Sequence, residues 1–577
     1  MKLAGLAVFL ASALVFAQPD ELPVWATPEE IIKMQLMKER TGPGLFSTFQ
    51  PPQPVRCFGE FEQLEGVLLT WRFGSWDPLY RELVRSIGRA CKCWIIVRSS
   101  SEQTSIRNYL QSNGVPLDSV VFLTLSNNSV WIRDYGPWTV YEPSTNRSMI
   151  DFRYNRPRPQ DDSIPVRLAQ MWGMPWYTPD LYHPGGNFMV DGNGVGFSTT
   201  LIYEENTHLT RAQIDTIFNK YIGLARFKSL TRMSGEYTGH CDMFTKMLDD
   251  YTVMVGSYPL GDPNYAILNA NTDTIGRTMN GFGRRFKTIR VPMPPVSGTV
   301  YRSYTNSLFV NNRVLVPVYH IPMDTTAMRV YRQALPNYQV DTFDCTSIIN
   351  SGGAVHCIAM GVPTRYQFHI SHYPPPETVS SAGPFSLRAR MMVSYTRVIP
   401  ESVAIYWNNT GTAPFNRILM TVHPDTPAVF LGQIPVQAAP NRVYYYVSAY
   451  DTMRRQRTHP RQAPFQTHLF YIPATAVEES PQALPLAIRV AVIPNPFRQK
   501  LVFGLNALPT EKTTLEIYDI SGRRVKTLAI RASSKSDAQS LTWHGDDQAG
   551  RQLPAGVYFY RITVGGEQYR GKVVKSR

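Results

Sequence analysis

Hydrophobic and polar positions follow two patterns along the chain, and the change between them comes near residue 373. Between about residues 55 and 370, short apolar runs alternate with segments whose apolar residues recur at helical spacing, which predicts an α/β or α+β domain. Strands are predicted at 67–69, 93–97 and 120–125. Helices are predicted at 77–89, 100–113, 210–222 and 325–335.

The N-terminal 50 residues carry two separate signals. Lys2, the apolar run 3–16 and the small residue Ala17 form the pattern of a secretory signal peptide over 1–17, with a buried core helix as the alternative. The N-terminal segment that follows, 18–50, contains a predicted helix at 27–40. Thr27 can cap this helix, and Glu30 can complete a capping box with it.

Beyond residue 373 the helical pattern stops and short β-type runs follow, separated by Pro, Asn and Gly. This texture predicts a small immunoglobulin-like β-sandwich at 373–475. A stretch rich in Pro, Ala, Glu and Ser predicts a linker at 476–486, and the last segment, 487–577, again has an all-β pattern. The predicted α/β domain then occupies 51–372.

Composition narrows the class of protein. Of the 577 residues, 43% are hydrophobic and 18% are charged, which is typical of a globular chain. The net charge of +14 permits acidic partners or a membrane surface, but the basic residues are spread out and no nucleic-acid-binding motif is found, so no nucleic-acid partner is predicted. The six cysteines do not have the spacing of a disulfide scaffold, which directs attention to a single reactive thiol.

Four local clusters hold residues able to do chemistry: 131–138, 235–242, 303–307 and 354–357. In extended backbone His240 and Asp242 point to the same side, so an imidazole and a carboxylate would share one wall. Two glycines before the last cluster permit close backbone approach to Cys357. Each cluster alone is better explained as core or turn. In combination they predict a cysteine nucleophile with a histidine acid–base, oriented by aspartate and asparagine.

These clusters, with the segments 151–159 and 185–187, resemble the guanidino-modifying enzymes and, among them, the bacterial peptidylarginine deiminases. The resemblance covers roughly residues 130–360. It implies an α/β-propeller of five ββαβ units, the pentein-type fold, and conversion of arginine to citrulline and ammonia. The site residues that it implies are catalytic Cys357, His240, Asp134 and Asn306, with Asp242 as a second carboxylate for the guanidinium and with Trp131 and Tyr237 at the substrate.

The residue types suit that chemistry. A guanidinium is planar and cationic, and two carboxylates can each accept a pair of its N–H groups while a thiolate approaches the carbon. Arg156 and Arg158 would lie on one side of an extended segment, where they can hold one carboxylate, with a solvated loop as the alternative. The resemblance implies that this carboxylate is the C-terminus of a peptide that ends in arginine. The chemistry requires no metal or cofactor, and structural calcium or sodium is left open.

The segment 487–577 resembles the C-terminal sorting domain of type IX secretion in Gram-negative bacteria. The resemblance rests on 493–497, 517–522, 553–558 and the basic end 572–575. It implies passage across the outer membrane by the type IX machinery, followed by anchoring at the cell surface or by release. An ordinary adhesion-type β-domain is the alternative.

A secreted peptidylarginine deiminase that prefers C-terminal arginine in peptide or protein substrates is the function that these resemblances favour. A deiminase of free small guanidines such as agmatine shares the pattern of Asp, His-x-Asp and Cys. A papain-like cysteine protease would leave Asp134, Asp242 and the arginine pair without roles. A catalytically silent surface adhesin, with the sandwich and the tail as its working parts, is the alternative outside the enzymes.

Overall fold

The computed structural model describes residues 21–40, 49–143, 147–379, 383–474, 490–493, 497–505, 513–530, 540–564 and 567–576. The chain divides into two compact units, Met1–Val477 and Glu478–Arg577. The first unit therefore joins the predicted α/β domain and the predicted β-sandwich. The predicted signal peptide, 1–17, and the predicted linker, 476–486, lie outside the described residues.

The α/β part of the first unit begins with a helix and continues as short strands that alternate with helices. Its first elements are α1 Pro28–Arg40, β1 Arg56–Cys57, β2 Leu64–Thr70, α2 Asp77–Gly88, β3 Lys92–Val97, α3 Ser100–Ser112, β4 Val120–Thr124, α4 Ile132–Tyr135, β5 Trp138–Tyr141, β6 Arg147–Ile150, α5 Pro159–Asp162, α6 Ile164–Trp172 and β7 Trp176–Tyr177. Its later elements are β8 Met189–Val190, β9 Val195–Thr199, α7 Leu201–Glu205, α8 Arg211–Ile217, β10 Arg226–Leu230, β11 Thr245–Met247, β12 Thr252–Ser257, α9 Pro263–Arg277, β13 Lys287–Pro292, β14 Leu308–Val310, β15 Arg313–Val318, α10 Met323–Ala334, β16 Gln339–Asp344 and β17 Ala359–Pro363.

The strands pair in a repeated ββαβ order. β11 runs antiparallel to β12, and after α9 the strand β13 returns parallel to β12. The elements from β5 to β7, from β8 to β10 and from β14 to β16 repeat this order. The two ends of the domain share one sheet, because β17 lies antiparallel to β2 and α2 leads from β2 to its parallel neighbour β3. The strands described between residues 49 and 363 thus form five sheets.

The predicted helices and strands of this domain are confirmed, with small shifts at their ends. α2 is amphipathic and buries Leu79, Leu83 and Ile87 on one face. The helix predicted at 210–222 is α8 followed by a π-helical segment, Phe218–Ile222, which ends at Gly223 with φ of 80°. The predicted capping box of α1 is present, since Thr27 N–H donates to Glu30 Oε2 at 2.9 Å.

The β-sandwich of the first unit consists of two facing sheets with one shared core. Its strands are β18 Phe368–His372, β19 Phe385–Val393, β20 Ala404–Asn408, β21 Asn416–Leu419, β22 Thr421–His423, β23 Thr426–Ile434, β24 Asn441–Tyr450, β25 Gln456–His459 and β26 His468–Ile472. One sheet has the order β18-β19-β23-β22, and the other has β21-β20-β24-β25 with β26 also on β24. Phe368 and Ile370 belong to this core, so the sandwich begins before the predicted boundary at 373.

The second unit is built from strands with a core of its own. They are β27 Val490–Ile493, β28 Leu501–Leu505, β29 Thr513–Tyr518, β30 Arg524–Ile530, β31 Ser540–Trp543, β32 Gly556–Val564 and β33 Glu567–Lys575. They form two sheets in the described segments, ordered β27-β28-β31 and β30-β29-β32-β33, and the core includes Phe503, Ile517 and Trp543. Across the described parts of both units, no helix has the length and apolar character needed to cross a bilayer.

Candidate active site

Each of the five ββαβ units contributes one loop to a common site, and each loop comes just before the first strand of its unit. The residues on these loops are Asp134 before β5, Gly186 before β8, His240 and Asp242 before β11, Asn306 before β14, and Cys357 before β17. Equivalent positions in repeated units therefore meet, although they are far apart in the sequence. The structure brings together all the residues predicted to be catalytic, while their roles stay predictions.

Asp134, His240 and Asp242 surround the backbone of Gly186. A Cβ atom on Gly186 would lie 2.7 Å from His240 Nδ1, 2.8 Å from Asp134 Oδ1 and 3.1 Å from Asp242 Oδ2. His240 Nδ1 and Asp134 Oδ1 are 3.5 Å apart. The side chains that converge here belong to residues no more than 4% exposed. Only a glycine leaves the space between them open.

Cys357 lies beside Asn306 and Asp242. Its Sγ is 3.2 Å from Asn306 Nδ2 and 4.0 Å from Asp242 Oδ2. The Asn306 amide also donates to Asp242 Oδ2 at 3.1 Å, and His356 Nδ1 lies 2.7 Å from the same oxygen. One oxygen of Asp242 is thus held in place next to the thiol.

Several buried polar atoms at this site lack a hydrogen-bond partner among the described residues. They are Asp134 Oδ1, Asp242 Oδ1 and both ring nitrogens of His240. The carboxylate of Asp134 accepts from the N–H of Gly186, and Asp242 accepts from the Asn306 amide. Each aspartate thus has one hydrogen-bonded contact and one oxygen, Oδ1, without a partner. Buried acceptors are normally paired. This set therefore suits a positively charged ligand that donates several N–H groups.

A buried ion network lies behind Asp242. Glu60 Oε1 is 2.8 Å from His356 Nε2 and 2.6 Å from Arg133 Nη1, while Lys246 contacts the other oxygen of Glu60. Arg133 also donates from Nε to the carbonyl oxygen of Ala359 at 3.1 Å. The network thereby ties α4, which carries Asp134, to the start of β17, next to the thiol.

Burial makes charge costly at this site. Burial raises the pKa of the Cys357 thiol well above its ordinary value, and the charges of Asp242 and Asp134 raise it further. Burial and the charge of Asp242 raise the pKa of Asp134 to about 7. Burial lowers the pKa of His240 to about 4. A bound cation would favour the ionised forms of the thiol and of Asp134, so the site is arranged for a cationic ligand.

Replacing Asp134 with asparagine is expected to stabilise the ligand-free protein in a pH-dependent way. The pKa of this carboxyl rises from 3.8 to about 7 on folding. The free energy of unfolding is therefore highest while the carboxyl is protonated, and it falls as the pH increases through that range and the buried carboxyl must ionise. The free energy of unfolding of Asp134→Asn should exceed that of the parent by up to about 4 kcal/mol above neutral pH. Urea titrations should show the gap closing toward about pH 4. The exposed-site control Asp118→Asn should show no such trend, and a pH-independent gap for Asp134→Asn would contradict the assignment.

Residues 21–30, called the N-terminal strap here, contact the predicted substrate residues Trp131 and Tyr237. Trp131 is fully buried and donates its Nε1–H to the carbonyl oxygen of Leu22 at 2.8 Å. Tyr237 is 56% exposed, and its ring centre lies 5.4 Å from that of Trp25. Both aromatic residues therefore border the strap.

Arg156 and Arg158 do not lie on an extended segment, so that prediction is wrong. The N–H of Arg158 donates to the carbonyl oxygen of Arg156 at 2.8 Å, which bends the backbone between them. Both side chains nevertheless reach the strap: Arg156 donates to Val24 O at 3.3 Å, and Arg158 pairs with Glu30 at 2.7 Å. Because Arg158 is only 1% exposed, the solvated-loop alternative is also wrong for it.

His240 and Asp242 share one wall for a different reason from the one predicted. His240 is extended, with φ of −84° and ψ of 146°, but Cys241–Met243 form a 3-10 turn. This turn, rather than strand alternation, brings Asp242 to Gly186. The sequence also gave no sign of a role for Glu60 or Lys246. The only clue to the role of Gly186 was its place in the segment 185–187.

Comparison with known proteins places these features in a family. The family model of the Porphyromonas-type peptidyl-arginine deiminases matches residues 56–363. A Latilactobacillus sakei protein provisionally named agmatine deiminase is 25% identical over 353 residues, which are 53% of this chain and 96% of that protein. The Pseudomonas syringae agmatine deiminase is 24% identical over 290 residues, which are 44% of this chain and 79% of that protein.

A solved structure shares the fold of the α/β domain. The agmatine deiminase of Enterococcus faecalis superimposes with a TM-score of 0.51 at 21% sequence identity, over 56% of this chain and 100% of that one. At this identity the likeness shows the fold alone. In the second unit, the model of the FlgD Ig-like domain matches residues 500–568, inside the segment predicted as a sorting domain.

The deiminase family model spans more than half of the 577 residues. The loops within that span carry the thiol, the imidazole and the two carboxylates. The chain therefore belongs to the Porphyromonas-type peptidyl-arginine deiminase family and is a hydrolase of amidine C–N bonds that deiminates arginine-like guanidines.

Proposed function

We propose that this enzyme hydrolyses the guanidinium group of arginine in peptides and proteins, with a preference for C-terminal arginine. The observation that carries the proposal is the pair of free, buried oxygens Asp134 Oδ1 and Asp242 Oδ1 beside the thiol of Cys357. A guanidinium would donate N–H groups to both carboxylates and neutralise their charge. Its planar carbon would then face the sulfur.

The first half of the proposed reaction releases ammonia. Binding of the cation favours the thiolate of Cys357, and the thiol proton passes to His240, which is neutral in the ligand-free enzyme because burial lowers its pKa to about 4. The sulfur attacks the guanidinium carbon while Asn306, 3.2 Å from Sγ, holds it in position. His240 gives its proton to the departing nitrogen. A covalent thiouronium on Cys357 remains.

The second half returns the enzyme to its starting state. His240, again neutral, takes a proton from a water molecule that attacks the thiouronium carbon. The C–S bond breaks, His240 returns its proton to the sulfur, and the remaining hydroxyl proton on the carbon is released to solvent, which leaves the uncharged ureido group of citrulline. Loss of the positive charge weakens the contacts with Asp134 and Asp242, so the product leaves.

The preference for C-terminal arginine follows from Arg156 and Arg158. Both guanidinium groups lie near the site, since their charges act on Asp134. Two arginines can hold one carboxylate through charge-assisted hydrogen bonds. A peptide that ends in arginine presents such a carboxylate close to its guanidinium, whereas agmatine has none. The names of the relatives favour the second candidate, a deiminase of agmatine-like guanidines, which would not need this pair.

A substrate panel tests the proposal. A peptide that ends in free arginine should be converted with a kcat/KM about 10-fold to 100-fold above that of the same peptide with an amidated end, the effect of losing a charged hydrogen-bond pair. Arg156→Ala should remove most of this difference, while the exposed control Arg167→Ala should keep it. Ammonia release and the mass change from arginine to citrulline report the reaction.

Each alternative predicts a different outcome in the same panel. Agmatine as the best substrate would establish the small-guanidine deiminase. Cleaved peptide bonds, as from a protease, or silence toward every guanidine, as from an adhesin, would contradict the deiminase activity itself.

We also propose that the protein is exported and reaches the outer membrane surface of a Gram-negative bacterium through type IX secretion. The signal pattern at 1–17 and the resemblance of 487–577 to a sorting domain support this. We further infer that the five ββαβ units surround a pseudo-fivefold axis, because each supplies a site loop from the same position.

A further inference from the structure

The N-terminal strap packs against the loop that leads to the thiol. Val24 is fully buried, and its N–H donates to the carbonyl oxygen of Ser351 at 3.0 Å. Val24 and Trp25 lie directly on the backbone of Gly352, where a Cβ atom would be 2.5 Å from Val24 and 2.8 Å from the Trp25 ring. The strap is therefore closely fitted to this loop.

Trp131 connects the strap to the nucleophile. Its indole donates to Leu22 on one side. On the other side, a Cβ atom on Gly353 would lie 2.5 Å from the Trp131 ring and 3.1 Å from Cys357 Sγ. The Trp131 indole thus lies between the strap and the thiol. Cys357 is only 1% exposed. The strap and the indole therefore cover the loop beside the sulfur.

Part of the strap is held through its backbone, as a bound peptide would be. Val24 uses both its N–H and its carbonyl oxygen, the latter accepting from Arg156 at 3.3 Å. Arg158 Nη2 donates to the carbonyl oxygens of Pro23 at 2.8 Å and of Trp25 at 3.2 Å. Contacts of this kind do not depend on side-chain identity, so the same surface can accept the backbone of another chain.

The carboxylate of Glu30 occupies one member of the arginine pair, Arg158. Glu30 Oε1 accepts from Arg158 Nε at 2.7 Å, and Oε2 accepts from Arg158 Nη2 at 3.0 Å. This is the bidentate geometry in which an arginine binds a carboxylate. Although burial acts to raise the pKa of Glu30, the hydrogen bond and the charge of Arg158 hold it below its usual value. The site thus binds a carboxylate that belongs to the chain itself.

We infer that the N-terminal strap occupies the peptide-binding surface of the enzyme as an internal ligand, and that a substrate peptide binds by displacing it, with its terminal carboxylate replacing Glu30 on Arg158. The identity of the displacing ligand rests on the proposed function. The strap lowers the apparent affinity for substrate in proportion to the fraction of molecules in which it is closed. Release of the strap therefore activates the enzyme.

Glu30→Gln in the full chain tests this inference. Glutamine still completes a capping box with Thr27, so the start of α1 is kept while the carboxylate on Arg158 is lost. Hydrogen exchange at the Val24 amide, without ligand, should accelerate at least about tenfold, and kcat/KM for a peptide ending in free arginine should rise by a similar factor through KM. Trp25→Ala loosens the strap at another contact and should shift both quantities in the same direction.

Glu29→Gln, the same change at the exposed neighbouring residue, is the matched control and should leave both quantities within about twofold. In the Cys357→Ala background, an excess of the free-acid peptide should deprotect the Val24 amide, and the amidated peptide should do so less. Unchanged exchange and kinetics in both strap variants of an active enzyme would overturn the inference and leave the proposed function standing. Faster exchange at Val24 without conversion of any arginine substrate would overturn the proposed function instead.

Discussion

Replacement of Cys357 by alanine is expected to lower kcat by about 10⁴-fold or more on every guanidine substrate. The sulfur has Asn306 Nδ2 at 3.2 Å and the Asp242 carboxylate at 4.0 Å, and no other cysteine holds an equivalent position in the described structure. Without it no covalent intermediate can form, and water would have to attack a resonance-stabilised cation directly. Ammonia release under saturating substrate measures the loss. The parent enzyme quenched during turnover should in addition carry a mass adduct that the variant lacks.

The matched control for this change is Cys93→Ala. Cys93 is a buried cysteine in β3, so the same atom is lost from a packed core without touching the site. Its variant should keep most of the activity and lose some stability. Activity within tenfold of the parent in Cys357→Ala would eliminate the nucleophile assignment, provided that thermal unfolding shows an intact fold.

Gly186→Ala is expected to reduce kcat/KM by about 100-fold or more, although it adds a single methyl group. That methyl would stand 2.7 Å from His240 Nδ1 and 2.8 Å from Asp134 Oδ1, in the space that we propose for the guanidinium. Either the catalytic side chains move or the substrate is kept out. A displacement of the reacting groups by even about 1 Å can lower the rate about 100-fold, and exclusion of the substrate raises KM. Steady-state kinetics with a terminal-arginine peptide gives the value.

Gly88→Ala makes the same chemical change at the end of α2, where the new Cβ would meet only Ser119 at an ordinary 3.7 Å. Its kinetics should match those of the parent. If Gly186→Ala retained activity within threefold, the guanidinium would have to bind elsewhere, and the arrangement of Asp134, Asp242 and His240 around this glycine would lose its functional meaning.

Local patterns were sufficient wherever the interactions are themselves local. The apolar spacing of α2 and the capping box of Thr27 and Glu30 involve residues within one or two helical turns, so the chain near them determines the outcome. The same reasoning failed for the backbone between Arg156 and Arg158. There the spacing suggested an extended segment, but a backbone hydrogen bond bends it and both side chains are held by a distant part of the chain.

In the candidate site, too, the sequence indicated the local motifs but not the contacts between distant residues. The motifs around Asp134, His240, Asn306 and Cys357 could be recognised one by one, because each is short and contiguous. The ion pair between Glu30 and Arg158 could not be recognised from the sequence. The capping box already gives Glu30 a role, and no residue near Glu30 in the sequence indicates Arg158 as a partner. Glu60 and Lys246 are likewise ordinary surface-type residues in sequence that become a partly buried ion pair only in the fold.

By itself, the sequence determined the helices and strands and the change of pattern near residue 373, and it predicted the reactive groups from short motifs, because all of these depend on neighbouring residues. The tertiary structure decided which groups meet. The repeated ββαβ units place five distant loops side by side, and their burial then shifts the pKa of the Cys357 thiol, the Asp134 carboxyl and the His240 imidazole. It also placed the N-terminal strap against the loop that leads to the thiol. Both results follow from contacts between distant residues, which no local pattern records.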